Sequence, residues 1–194
     1  MRVTRHPFRN NAGPGWWFLT INAYQHREVF GQVVDGRMVL NEYGRVVRDV
    51  WLEVPLHFPH VATDAWVVMP NHAHVIVRLL ASDPKLGSLS QKIECFGRPV
   101  AGSLATIVRS FKAATTRAVR ERRQERVLVW QPRFWERRLV DDRGLRTARL
   151  YIVRNPSRWR GTWLPHRGMD EFALDREPKP SANAASPTDT DSPT

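Results

Sequence analysis

The sequence predicts a two-layer α+β fold, with helices on one face of an antiparallel sheet. Short runs of aromatic and β-branched residues, typical of strands, alternate along the chain with longer stretches whose apolar residues recur at helical spacing. Their order (strand, helix, strand, strand, helix, strand) is that of a ferredoxin-like arrangement. The chain has 194 residues, of which 42% are hydrophobic, so it can build one such core without disulfides.

The first predicted elements are a strand, a hairpin and a helix. Residues 16–24 are rich in aromatic and β-branched side chains and predict a strand. Asp35-Gly36 lies between two short apolar runs, which is the strongest short-range signal for a β-hairpin. Asn41 is a candidate N-cap for a helix that runs to about Val54, because the apolar residues of this stretch fall on one helical face.

Two adjacent strands are predicted in the middle of the chain. Residues 65–69 form a continuous apolar run, and Pro70-Asn71 interrupts it before a second apolar run over residues 72–80. Residues 81–101 contain several Gly and Pro residues and predict an irregular connection.

The C-terminal part of the ordered chain is predicted to contain two more helices. An amphipathic helix is expected over residues 103–124, followed by possible short strands at 127–130 and 138–140. The last helix is expected to begin near Asp142 and to end before Pro156, because the residue before a proline resists the helical conformation.

The final segment, residues 176–194, has no aromatic or large aliphatic residue and is rich in Pro and Ser. Such a composition cannot bury enough apolar surface to offset the entropy of ordering. We therefore expect one domain over residues 1–175 and a disordered acidic tail over residues 176–194.

Charge points to a nucleic-acid partner. The chain carries 30 Lys+Arg and 19 Asp+Glu, a net charge of +11, and almost all of the excess is arginine. The planar guanidinium group suits phosphate recognition. Arginine bias from a GC-rich genome, or a general contribution to solubility, remain alternatives on charge alone.

Cysteine usage and hydropathy exclude several classes of protein. Cys95 is the only cysteine, which excludes a disulfide framework and a zinc site built from thiolates, and which suits a reducing cytoplasm. The start of the chain has no apolar segment like that of a secretory signal, and no run approaches the ~18 apolar residues of a membrane helix. We expect a cytoplasmic protein without a membrane partner.

The His72-Ala73-His74 sequence begins the strand predicted over residues 72–80. Because side chains alternate along a strand, both imidazoles point to one face and could chelate one divalent cation. Seven histidines placed at random would produce such a pair in roughly a quarter of chains of this length, so the motif alone slightly favours a pair of surface or turn histidines.

Tyr151 lies on the last predicted helix, and Asn155 follows four residues later. The two side chains therefore lie on one helical face, one turn apart. They could supply a nucleophile and a third metal ligand, since a tyrosine with a pKa near 10 needs help to react. A core tyrosine and a helix stop before Pro156 are the alternatives.

The string VVMPNHAHVIV resembles the HUH motif (His-hydrophobic-His) of single-tyrosine transposases, and the chain as a whole resembles the REP-associated tyrosine transposases. The resemblance covers about residues 16–159, and WQPRFWE together with MPNHAH is specific for the family. Matching blocks occur in the order WFLTINA, VFGQVVDGRMVLNEYGRVVRDVW, DAWVVMPNHAHVIV, GSLATIVRSFKAATTR, VWQPRFWERRLV and LYIVRNPSRW.

The resemblance implies a function and a site. It implies that His72 and His74 bind Mg²⁺ or Mn²⁺, that Asn155 completes the metal site, and that Tyr151 attacks single-stranded DNA. The product would be a 5′-phosphotyrosine and a free 3′-hydroxyl, and a second 3′-hydroxyl could reverse the step and join strands without ATP. The implied partner is hairpin-forming DNA, in transposition or in the processing of repeated palindromes, and the protein would be a monomer or a homodimer.

The second amphipathic helix carries a candidate DNA-binding surface. Four basic residues recur on it at three- or four-residue steps outside the first part of the apolar stripe, and we expect them to contact phosphates: Arg109, Lys112, Arg120 and Arg123. A solvated helix face is the alternative for each of them. Of three nearby aromatic residues that could stack on bases, at least two are expected in the core instead: Trp130, Phe134 and Trp135.

Two other functions remain open at this point. One is a domesticated DNA-binding protein that recognises hairpin repeats without turnover, although it would not need to keep His72, His74, Tyr151 and Asn155 together. The other is a metal-dependent hydrolase unrelated to DNA, against which the +11 charge and the lack of acidic ligands count.

Overall fold

A four-stranded antiparallel sheet forms the centre of the fold. The computed structural model describes residues 13–81, 102–124 and 126–161. In chain order, its helices and strands are β1 (Gly15–Asn22), β2 (Gly31–Val34), β3 (Arg37–Leu40), α1 (Glu42–His57), β4 (Val61–Met69), β5 (His72–Leu79), α2 (Leu104–Arg123), β6 (Trp135–Leu139) and α3 (Asp142–Arg154). The strand order in the sheet is β4-β5-β1-β6, which confirms the predicted α+β class.

The register of the two central strands decides which residues meet. β1 and β5 pair along their whole length, with Gly15 opposite Leu79 at one end and Asn22 opposite His72 at the other. Residues that lie directly opposite each other in such a pair project from the same face of the sheet. Thr20, which is opposite His74, therefore shares a face with Asn22 and with both histidines.

β2 and β3 form the hairpin predicted from Asp35-Gly36. Both turn residues have positive φ, 50° for Asp35 and 72° for Gly36, as the tight two-residue turn of a twisted hairpin requires. The turn lies close to the chain just after α3. A Cβ atom built on Gly36 would be 3.4 Å from the Cα of Ser157. The hairpin tip therefore supports the end of α3.

The helices begin where the sequence predicts. The Asn41 side chain accepts a hydrogen bond from the Gly44 amide at 3.0 Å, and the Ser103 hydroxyl caps α2 in the same way. α2 ends at Arg123, and the next residue, Gln124, caps the helix in the left-handed conformation typical of a helix end (φ 56°).

The two faces of the sheet are covered by different helices. One face packs against α1 and α2 in the main apolar core, in which Trp51 of α1 meets Phe111 of α2 edge-on. α3 lies on the opposite face, where the Tyr151 ring contacts Phe18 of β1 at 5.9 Å. The two long helices share one face as predicted, but the expectation that all helices cover one face is wrong for α3, whose apolar side and Tyr151 pack on the other face.

The predicted strand at residues 127–130 is wrong. This segment makes a single bridge, between Trp130 and Ala23, and the Trp130 side chain is buried against Phe30 and Phe111. The strand predicted at 138–140 exists as β6 but begins earlier, at Trp135. Most of the irregular connection at 81–101 and all of the tail at 176–194 lie outside the described residues.

None of the helices that the structure describes is long and apolar enough to cross a membrane.

Candidate active site

The two histidines lie side by side at the start of β5. His72 and His74 are both buried, and their Nε2 atoms are 3.0 Å apart. Alternation along the strand puts both rings on the face that α3 covers, while Ala73 between them belongs to the apolar core on the other face. The predicted pairing of the imidazoles on one face is therefore present in the structure.

Asn71 fixes the orientation of His72. The Nδ1–H of His72 donates to the Asn71 carboxamide oxygen at 2.7 Å, so the neutral ring has its lone pair on Nε2. Burial, and secondarily repulsion from His26, lowers the pKa of His72 to about 3. The ring is therefore neutral at physiological pH, the form in which imidazole binds a metal.

Thr20 plays the corresponding part for His74. Its hydroxyl lies 3.0 Å from the Nδ1 of His74, across the β1–β5 pair. A hydroxyl can donate or accept, so this contact is compatible with either neutral tautomer of His74. Phe18, two residues earlier on β1, packs against the His74 ring with centroids 5.2 Å apart.

Tyr151 reaches the histidine pair from α3. Its hydroxyl lies 3.5 Å from the Nε2 of His74, and the two ring centroids are 5.2 Å apart. The tyrosine is separated from His74 by 77 residues in the sequence. It lies beside His74 because α3 packs on the sheet face that carries the histidines. The structure thus brings together three of the four predicted site residues.

The arrangement fits a divalent cation. Two nitrogens that are about 2.1 Å from one ion and at a right angle lie about 3 Å apart, which matches the spacing of the two Nε2 atoms. The described residues contain no cluster of three His, Cys, Asp or Glu side chains. The other positions around an ion at this pair would be left to amide, water and phosphate oxygens, which Mg²⁺ and Mn²⁺ prefer.

Asn155 is the fourth predicted residue. It keeps helical backbone angles (φ −58°, ψ −46°), so its place one turn beyond Tyr151 is as the spacing predicts. Its backbone amide donates to Ile152, and in the described part of the chain its side chain makes no hydrogen bond to the histidines. Its role as a ligand stays a prediction.

An ion pair tethers α3 to the sheet. Arg149, two residues before Tyr151, donates to both carboxylate oxygens of Asp64 on the edge strand β4, at 2.9 Å and 2.5 Å. The hydrogen bonds from Arg149 are the main cause that lowers the pKa of Asp64. Asp64 sits at an irregularity in the β4–β5 pairing, between Thr63 and Trp66.

Three of the four residues predicted to contact phosphates line a groove on the other side of the sheet. A groove of about 550 Å³ between α2 and the segment 128–132 is lined by Arg109, Lys112 and Arg120 together with Arg117. One wall of this groove reaches the site, because the Gln131 amide donates to the Asn22 carbonyl at the end of β1. The groove and the histidine pair therefore adjoin the same end of the sheet.

The four predicted basic residues differ in their surroundings. Arg109 is exposed in the groove. Lys112 donates to the carbonyls of Gln131 and Arg133 at 2.7 and 2.9 Å, and these hydrogen bonds fix the segment 131–133 on α2. Burial lowers the pKa of Lys112 to about 8. Arg120 donates to the Val127 carbonyl, while Arg123 stacks on the Tyr43 ring at 5.3 Å.

Of the three aromatic residues that could stack on bases, two pack with the core as predicted. Trp130 is buried, with its indole nitrogen donating to the Thr115 hydroxyl at 2.6 Å, and Phe134 packs against the core. Trp135 is half-buried beside Phe18, on the face that carries the histidines.

Several polar residues of the site were missed from the sequence: Thr20, Asn22, Asp64 and Asn71. The first two are recognisable only from the register of β1 against β5, which the sequence does not specify. Asn71 could have been found, because it precedes His72 at a predicted strand break and a histidine that binds metal needs an acceptor for its other nitrogen.

The chain was compared with families, sequences and structures of known proteins. No family model matches the chain. The chain is 31% identical over 161 residues to an uncharacterized protein of Haemophilus influenzae, and the match covers 81% of this chain and 89% of that protein. A candidate transposase from Deinococcus radiodurans is 14% identical with a TM-score of 0.44 over 77% of this chain and 96% of that one, too weak a likeness to carry an argument.

The informative structural likeness is to a REP-associated tyrosine transposase, solved bound to a REP hairpin. The TM-score is 0.54 at 21% identity, and the match covers 98% of this chain and 100% of that one. The chain therefore belongs to the same protein family as the Haemophilus influenzae protein, and its fold is that of a REP-associated tyrosine transposase.

Proposed function

We propose that this protein is a metal-dependent tyrosine transposase that cleaves and rejoins single-stranded DNA. The observation that carries the proposal is the convergence of the Tyr151 hydroxyl on the Nε2 of His74, which itself lies 3.0 Å from the Nε2 of His72. A phenol beside two imidazoles is an arrangement suited to nucleophilic attack at a phosphodiester next to a bound cation.

The chain's residues have distinct parts in this reaction. The Nε2 atoms of His72 and His74 would hold Mg²⁺ or Mn²⁺, with Asn155 as the proposed third ligand. When bound, the cation would supply electrophilic polarisation of the phosphodiester. The oxygen of Tyr151 forms a bond to phosphorus as the bond to the 3′-oxygen breaks; the phenol loses its proton and the 3′-oxygen leaves as a hydroxyl. Attack by a 3′-hydroxyl on the 5′-phosphotyrosine reverses these changes and joins two strands.

The proposed substrate is a single strand that forms a hairpin. The neighbour of known structure was solved with a REP hairpin, and this chain carries a net charge of +11. The basic groove lined by Arg109, Arg117 and Arg120 adjoins the site through the Gln131–Asn22 hydrogen bond, so a strand held there by its phosphates could pass from the groove to the histidines.

The test is the formation of a covalent adduct with labelled hairpin-bearing single-stranded DNA in Mn²⁺, read on a denaturing gel. We expect an adduct in the unsubstituted protein, none with Tyr151→Phe, and none with a chelator. The chain has 3 tyrosines, so Tyr24→Phe and Tyr43→Phe are matched controls that should keep the adduct.

Different failures have different meanings. An adduct that survives Tyr151→Phe contradicts the assignment of the nucleophile. Specific hairpin binding without any adduct would favour a DNA-binding protein without turnover. Failure to bind single strands at moderate salt contradicts the DNA substrate itself.

A further inference from the structure

The site contains a buried acceptor that the reaction above does not use. The carboxamide oxygen of Asn22, the last residue of β1, is buried and has no hydrogen-bond partner within the described part of the chain. The residue as a whole is only 9% exposed. An acceptor left unsatisfied in this way costs roughly 1–3 kcal/mol, so its presence calls for a function.

The register places Asn22 at the histidine pair. It lies directly opposite His72, and Thr20, two residues before it, contacts His74 through its hydroxyl. Its side chain therefore projects from the same face as both imidazoles. Among the described residues, the indole nitrogens of Trp17 and Trp51 are also buried without a partner, but they belong to the apolar core on the other face.

The chemistry around Asn22 defines what could satisfy it. His72 uses its Nδ1–H for Asn71, and its other nitrogen carries a lone pair rather than a hydrogen, so His72 offers no donor to the Asn22 oxygen. A hydrated divalent cation at the histidine pair brings both positive charge and water donors. Mg²⁺ in particular keeps several waters when it binds to proteins.

We propose that the Asn22 carboxamide oxygen is the acceptor that the protein provides for the hydrated cation bound by His72 and His74. The inference rests on the proposed metal dependence and adds to it a residue outside the implied ligand set. Asn22 is a positioning residue: it stabilises the bound form through the hydration of the ion, as outer partners of metal sites do. The Asn22 oxygen, which has no partner among the described residues, would accept a hydrogen bond from the hydrated cation.

The test measures Mn²⁺ affinity of the full-length protein by electron paramagnetic resonance, independently of DNA cleavage. We expect Asn22→Leu to weaken Mn²⁺ binding about 10- to 100-fold. The melting temperature should stay the same or rise, because an unsatisfied acceptor is replaced by an apolar group of similar size. Asn22→Asp, which keeps an acceptor, should bind Mn²⁺ at least as tightly as the unsubstituted protein.

Asn41→Asp is the matched control, since it makes the same change at an exposed helix cap that accepts either residue. It should leave Mn²⁺ affinity unchanged, which separates the position from the added charge. Unchanged affinity in Asn22→Leu, while His72→Ala loses binding, overturns the role of Asn22 and leaves the proposed function standing. Equal weakening in Asn22→Leu and Asn22→Asp overturns the acceptor role. No Mn²⁺ binding by the unsubstituted protein contradicts the proposed function itself.

Discussion

The two faces of the central sheet are built from alternate residues of the same strands, yet they differ in chemistry. On β1, Trp17, Leu19 and Ile21 enter the apolar core, while Phe18, Thr20 and Asn22 face α3 and the histidines. The first face holds large side chains against α1 and α2. The second buries hydroxyl, amide and imidazole groups beside Phe18 and the apolar side of α3. The residues that stabilise the fold and those that carry the chemistry are therefore separated across the thickness of one sheet.

The largest expected effect is on the apolar face. Trp51→Ala removes a fully buried indole that packs edge-on against Phe111. We expect a loss of about 3–5 kcal/mol in the free energy of unfolding, measured by denaturant titration. The neighbouring Leu52 is 55% exposed, so Leu52→Ala should cost far less. Similar losses in the two variants would contradict the assignment of the main core to this face.

On the histidine face, the effect should appear in the reaction. Thr20→Val removes the hydroxyl that lies beside the Nδ1 of His74. At limiting Mn²⁺, we expect DNA-adduct formation to slow by about 10- to 100-fold. Thr20→Ser keeps the hydroxyl and should retain most of the rate. If Val and Ser behave alike, the hydroxyl does not orient His74.

A smaller effect is expected where α3 is tethered to the sheet. Asp64→Asn breaks the paired hydrogen bonds with Arg149 and should cost about 1 kcal/mol at neutral pH, because Arg149 is largely exposed. The folded-state pKa of Asp64 is lowered below its usual 3.8, so this stabilisation is present above that pH and is lost as the pH falls through the lower folded value. Unfolding curves of the two proteins should therefore converge in acid. A constant difference at all pH values would show that the carboxylate charge is not the cause.

The smallest effect concerns the basic groove along α2, on the side of the sheet away from the histidines. Arg109→Ala should weaken binding to single-stranded DNA by a similar factor for all sequences and should reduce the salt dependence by about one phosphate contact. Arg48→Ala, on α1 and paired with Asp49, is the control. Binding isotherms at several salt concentrations measure the affinity and its salt dependence. If the salt dependence of affinity is the same in Arg109→Ala and Arg48→Ala, the DNA does not bind in this groove.

Local patterns predicted most of the elements but not their placement. The hairpin at Asp35-Gly36 and the caps at Asn41 and Ser103 depend on neighbouring residues, so the sequence reveals them. The side of the sheet on which α3 packs depends on burying Leu145, Ala148 and Ile152, and an apolar helix stripe does not specify which sheet face will cover it.

The same limit applies to the site. The histidines are recognisable because two residues on one strand share a face by alternation alone. Their partners Thr20 and Asn22 come from a strand more than 50 residues away, as the separation of 54 between Thr20 and His74 shows. Lys112 resembled a phosphate contact by helical spacing, yet its ammonium group is occupied by two carbonyls of a loop whose path no local pattern specifies.

The distance along the chain between Tyr151 and His74 also has a consequence for synthesis. The histidines, Thr20, Asn22 and Asn71 all lie within residues 15–79, so the strands that hold them leave the ribosome well before α3. Tyr151 is added 77 residues after His74. A nascent chain therefore contains the histidines and their strand partners before it contains the proposed nucleophile, and the proposed cleavage of DNA requires the last helix to dock.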